Sequence, residues 1–127
     1  MGLLSKKPKN RFIAIISKLD EKTPLKNEIV YCSEKTSLIS AKAFLLSYIE
    51  YMIPNRPYFE LDGKVREGKD AYNAMSEAII PSDKFVTKKE RDKYYENFTS
   101  VQFSFWTMDE HMYRTVYGVR IVRSNDA

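Results

Sequence analysis

The chain holds one histidine, His111, and one cysteine, Cys32. Nucleophilic or acid–base catalysis by either needs a partner side chain within hydrogen-bond reach. Cys32 sits in the apolar run "EIVYCS" with no identifiable base, and reads as a small core residue. His111 falls in "DEH", between two alternating segments, where a loop is expected. The four glycines make no phosphate cradle, because Gly63 and Gly68 are followed by no Gly-Lys-Ser. No Cys-x-x-Cys, no His pair and no carboxylate cluster has metal-ligand spacing. The expectation is therefore no catalytic residue, no metal, no cofactor and no enzyme. Carboxylate-only chemistry is the one enzymatic route left open.

Charge and aromatic placement point to binding. The net charge is +4, from 21 basic and 17 acidic residues. Lys6, Lys7, Lys9 and Arg11 stand in the first eleven residues without an acid, and Leu3 and Leu4 precede them. The remainder holds 17 acids and as many bases, so the surplus lies on a tip. Such a tip is attracted to anionic lipid or to phosphates. Residues 1–11 are expected to form a basic flexible arm and residues 12–127 one domain. A second candidate contact is Trp106 with Arg114 and Arg120 on the outer face of a C-terminal hairpin, suited to a partner protein or a stacked base. The bland alternative is a local cation–π pair, of about 0.5–1 kcal/mol, that merely shelters the tryptophan. Tyr94 and Tyr95, amid Lys88, Lys89, Arg91 and Lys93, read as part of a solvated helix, because Glu90, Asp92 and Glu96 offset that charge.

Several elements must position these residues. Phe12–Ile16 is a short, β-branched apolar run and predicts a buried strand. Glu28–Ser33 predicts a second strand, paired with the first across a loop at 20–27. Thr36 or Ser37 can cap a helix over 38–53, whose apolar stripe is wide enough to be central and which Pro54 stops. "RPYFEL" predicts a strand, and Asp62-Gly63 a tight turn. A second helix is expected near 70–80 with Asp70 as cap, and Thr87-x-x-Glu90 fits a capping box. "FTSVQFSFWTM" and "MYRTVYGVRIV" alternate on either side of 109–111. That loop sets Val101 against Val119, Phe103 against Tyr117, Phe105 against Thr115 and Trp106 against Arg114. The fold class is α+β: a mostly antiparallel sheet on a central helix, with the C-terminal hairpin at its heart.

The segment 38–53 is short for a membrane span and carries Lys42 and Glu50. No apolar region of signal-peptide type follows the first charges. The expected location is intracellular, neither secreted nor transmembrane.

The runs "EIVYCS", "SLISAKAFLLSYIEYM" and "NRPYF", followed late by "SVQFSFWTMDE", resemble rhabdovirus matrix proteins over residues 12–62 and 99–110. The resemblance implies a non-enzymatic viral assembly protein that binds the inner membrane surface and the nucleocapsid and self-associates, in the host cytoplasm or at the inner membrane face. On this reading Lys6, Lys7, Lys9 and Arg11 contact an anionic membrane. The alternative is a small viral or phage regulatory protein that binds nucleic acid or a host protein through Trp106, Arg114 and Arg120.

Overall fold

The structure is a computed structural model that describes residues 9–20 and 22–126. In chain order it runs β1 (Lys9–Leu19), β2 (Glu28–Lys35), α1 (Leu38–Tyr51), β3 (Pro57–Leu61), β4 (Lys64–Glu67), α2 (Lys69–Ile79), α3 (Lys88–Asn97), β5 (Ser100–Met108) and β6 (Arg114–Asp126). The six strands form one antiparallel sheet in the order β2-β1-β6-β5-β3-β4. The fold is α+β, and the C-terminal hairpin lies in the middle of the sheet. No helix among the described residues is long and apolar enough to cross a membrane.

Strand alternation makes the two sheet faces unequal. One face carries Phe12, Ala14 and Ile16 of β1, Tyr117, Val119 and Ile121 of β6, and Phe105 of β5, all buried. α1 packs on β1 and β2, and α2 on β3 and β4, closing this side. α1 supplies Leu38, Ala41, Leu45 and Ile49 to the core; α2 supplies Ala71, Ala74, Met75 and Ile79. No helix packs on the opposite sheet face among the described residues.

Local chemistry explains the helix ends. The Ser37 hydroxyl accepts from the Ser40 N–H at 3.1 Å, so Ser37 is the α1 cap. Thr87 accepts from the Glu90 N–H at 3.2 Å, while the Glu90 carboxylate reaches back to the Val86 N–H at 2.8 Å. That is the expected capping box with its return bond moved one residue upstream. α2 begins earlier than expected: Gly68 precedes it at φ 60°, a conformation glycine tolerates, and Asp70 lies in the first turn instead of at the cap. Asp62 and Gly63 both have positive φ, 55° and 77°, and join β3 to β4 as the sequence predicts.

Three expectations shift. β1 starts at Lys9, so Lys9, Asn10 and Arg11 belong to the sheet, paired with Asp126, Asn125 and Ser124. Cys32 is exposed rather than core. β2 is an edge strand covered on one face only, and its alternation turns Tyr31 inward and Cys32 outward. The β5–β6 register also moves by two residues: Val101 faces Ile121, Phe103 faces Val119, Phe105 faces Tyr117, and Trp106 faces Val116. The loop is longer than three residues because Asp109 organises it. Its carboxylate accepts from the backbone N–H of His111 at 2.8 Å and of Tyr113 at 2.9 Å. A two-residue shift leaves every side chain on its predicted face, since the period is two.

Candidate binding face

Trp106 lies on the uncovered side of the sheet. Its backbone neighbours are Val116 on β6 and Tyr58 on β3. The Tyr58 ring is parallel to the indole within 10°, with centroids 6.0 Å apart. Arg114, diagonal to Trp106 across the pair, places its guanidinium carbon 4.8 Å from the indole centroid. The predicted Trp106–Arg114 contact therefore exists, reached by a diagonal. Trp106 and Tyr58 are both half-buried.

Arg114 also lines a cleft of about 420 Å³ at the end of the sheet. Lys18, Lys22 and Lys26 join it there, against the carboxylates of Asp20 and Glu28. Asp20 is occupied with the loop: its Oδ1 accepts from the backbone N–H of Lys22 and of Thr23, both at 3.0 Å. Asn27 Oδ1 in turn accepts from the Asp20 N–H at 2.8 Å, which closes the loop on itself. Among the described residues, four bases and two carboxylates line the cleft.

Arg120 shares the open face but stands six residues along β6 from Arg114, roughly 20 Å at strand rise. Its flanking positions are Ile15 and Gln102. It is exposed and makes no hydrogen bond or ion pair among the described residues. Between the two arginines Gly118 leaves a shallow trough, into which Leu19 leans: a Cβ at Gly118 would meet Leu19 at 3.5 Å. Ser17, Gln102 and Ser104 line the same trough. The charge balance reverses toward the β4 edge. Glu67 is paired with Tyr58 in register, and Glu60 follows two residues along β3. Glu67 has Arg56 within 3.8 Å. The face therefore grades from acidic beside Tyr58 to basic beside Arg114.

Of the basic arm, the described residues Lys9 and Arg11 are not brought to this site. Lys6 and Lys7 lie outside the described residues. Lys9 is strand backbone at the far end of β1, and Arg11 Nη1 meets Glu34 Oε1 at 2.9 Å, an exposed ion pair. His111 is exposed in the hairpin loop, with its Nε2 3.6 Å from the adjacent Glu110 carboxylate. Among the described residues no group of three or more His, Cys, Asp or Glu could hold a metal ion.

Tyr58 and the lysines at 18, 22 and 26 escaped the sequence reading. The lysines recur every four residues, but Lys22 and Lys26 fall in a segment that reads as loop and Lys18 just before it. Only the β1–β6 pairing, across about a hundred residues, places that loop beside Arg114. No protein-family model, no curated protein and no solved structure matches the chain.

Proposed function

We propose that the protein is a non-enzymatic binding module for single-stranded nucleic acid, which it takes up on the open sheet face. The observation that supports this most directly is the double role of Arg114. It stacks on Trp106 and lines the lysine cleft, so a base platform and a phosphate site are adjacent. Base–aromatic stacking tolerates any sequence, because every base has a π-face. The lysines supply the salt-dependent attraction to the backbone. Glu60 and Glu67 repel phosphates from the Tyr58 side and so orient the strand, bases toward Tyr58 and Trp106, backbone toward β6. Arg120 offers a second phosphate contact farther along the trough. A matrix-like role, with residues 2–11 on an anionic membrane, is the competing assembly reading, and vesicles separate the two.

Anisotropy of labelled single-stranded DNA and RNA oligonucleotides tests the proposal. Binding is expected at low salt and falls steeply as salt rises. Trp106→Ala is expected to weaken it by about 1–3 kcal/mol. Lys22→Ala and Lys26→Ala should each lower the slope of log K against log salt by about one. Absence of binding at low salt, or wild-type affinity in Trp106→Ala, overturns the reading. Sedimentation with anionic but not neutral vesicles, in the absence of oligonucleotide binding, would establish the membrane reading in its place.

A further inference from the structure

Gly118 sits in the interior of β6, where a glycine weakens a strand and usually has a reason. Local structure supplies none. The pairing of β6 runs unbroken through Gly118 on both sides, so no bulge is present. Its φ is not positive, so the backbone does not require glycine. Packing does not require it either, because an added Cβ would stand 3.5 Å from Leu19, an ordinary contact. What the missing side chain provides is depth: Gly118 floors a trough of about 640 Å³ on the open sheet face. A strand glycine of this kind marks a place where another group approaches the backbone closely.

Polar side chains converge on that floor. In register, Ser104 of β5 and Ser17 of β1 flank Gly118 on either side. Gln102 and Arg120, themselves a facing pair, stand two residues farther along. None of these four side chains has a hydrogen-bond or ion-pair partner among the described residues, and Gln102, Ser104 and Arg120 are exposed. Ile15 and Leu19 give the trough an apolar flank. An apolar slot with a few convergent polar groups is the usual form of a small-ligand site. Ser104 to Ser17 spans two interstrand spacings, roughly 9.5 Å, enough for a two-ring base. The Gln102 amide offers a donor beside an acceptor. Adenine presents the complement on both its edges, the N6 amine beside N7 or N1. Guanine presents two acceptors on its N7 edge, which sets one of them against the amide oxygen.

We infer that the trough over Gly118 reads one adenine of the bound strand, with the Gln102 amide paired to the base edge and Arg120 on a neighbouring phosphate. The inference rests on the nucleic-acid reading of this face and adds base specificity to it. Trp106, Ser104 and Gln102 are successive outward positions of β5, so Gln102 stands about 14 Å from Trp106 at strand rise. A nucleic-acid strand that stacks on Trp106 and reaches Arg120 passes over Gly118. The two positions differ in kind. The Trp106 ring takes any base, whereas the trough selects.

Anisotropy at low salt with octauridylate, and with the same octamer carrying one central A, G or C, tests this. The octamer with A is expected to bind roughly tenfold tighter than the other three. Unsubstituted purine in place of that adenine, which removes the amine, should lose the gain. Gln102→Ala should abolish the preference, whereas Trp106→Ala should weaken all four octamers alike. Gly118→Ala should fold with unchanged circular dichroism and still lose the preference, because its methyl group fills the floor. Equal affinity for all four octamers overturns the inference and leaves the nucleic-acid reading standing. So does a preference for A that survives Gln102→Ala and Gly118→Ala. A protein that binds no octamer overturns the nucleic-acid reading. If adenosine monophosphate, but not guanosine monophosphate, then shifts the amide resonances of Gly118 and Gln102, adenine stays in the trough as a free nucleotide. No shift overturns both.

Discussion

Arg120 and Arg123 lie three residues apart on β6 and face opposite ways. Arg120 looks onto the open face. Arg123 turns to the helices, where its guanidinium donates to the carbonyl oxygens of Tyr95 and Glu96 at the end of α3, the latter at 2.7 Å. It also lies over Phe12, 5.1 Å from the ring centroid. Those carbonyls have no intrahelical donor, so the arginine closes the helix end and ties it to β6. Arg123→Ala is expected to lower stability by about 2–3 kcal/mol in urea unfolding, because two charge-assisted bonds are lost. Arg120→Ala should change it by less than about 0.5 kcal/mol. Equal effects would contradict the assignment of faces. Alternation along β6 separates the two arginines; that α3 ends beneath Arg123 depends on a contact between distant segments, which no local pattern displays. Burial also raises the phenol pKa of Tyr72, Tyr94 and Tyr117 above the ordinary 10.0. Glu50 adds to the effect at Tyr72 and Tyr95 adds to it at Tyr94, whereas Thr107 opposes it at Tyr117. The unfolded chain then ionises first. The stability these phenols contribute is complete below pH 10 and is lost as pH rises through their folded values. Tyrosinate absorbance should therefore go on rising beyond the ordinary range until the fold opens. A titration completed around pH 10, with stability unchanged, would contradict this.

Elements were legible where their signals are local. α1 begins where the Ser37 hydroxyl cap is found, and α2 covers nearly the expected span. The Asp62-Gly63 turn joins the strands it was expected to join. The β5–β6 faces follow from alternation, yet the register did not, because the Asp109 loop is held by side-chain bonds that a residue pattern does not display. Asp109→Ala removes both of those bonds and is expected to cost about 1–2 kcal/mol. A shift in denaturation midpoint with unchanged slope would report it. A variant as stable as the wild type would mean that the loop does not depend on Asp109. Cys32 was misplaced for a related reason. "EIVYCS" looks like a strand buried on both faces, but no described helix covers the sheet face onto which Cys32 points. The lysines of the β1–β2 loop became meaningful only once β6 was found beside β1.

At the scale of the molecule, an antiparallel sheet keeps its helices on one side and leaves the other open, which is a common condition for such sheets. What distinguishes this open side is its grading: carboxylates near β4, two parallel aromatic rings at the centre, and arginines with a lysine cleft toward β6 and the β1–β2 loop. The basic surplus of residues 1–11 points to the N-terminus as a contact; Arg11 there meets Glu34, and the cleft beside Trp106 is lined by Arg114 and the lysines at 18, 22 and 26. The central claim is that bases stack at Trp106. Because Trp106 is the chain's single tryptophan, indole emission reports on that position alone. Titrating the protein at low salt with an unlabelled single-stranded oligonucleotide should quench that emission saturably, and added salt should restore it. Emission that stays unchanged at oligonucleotide concentrations well above that of the protein would contradict the account.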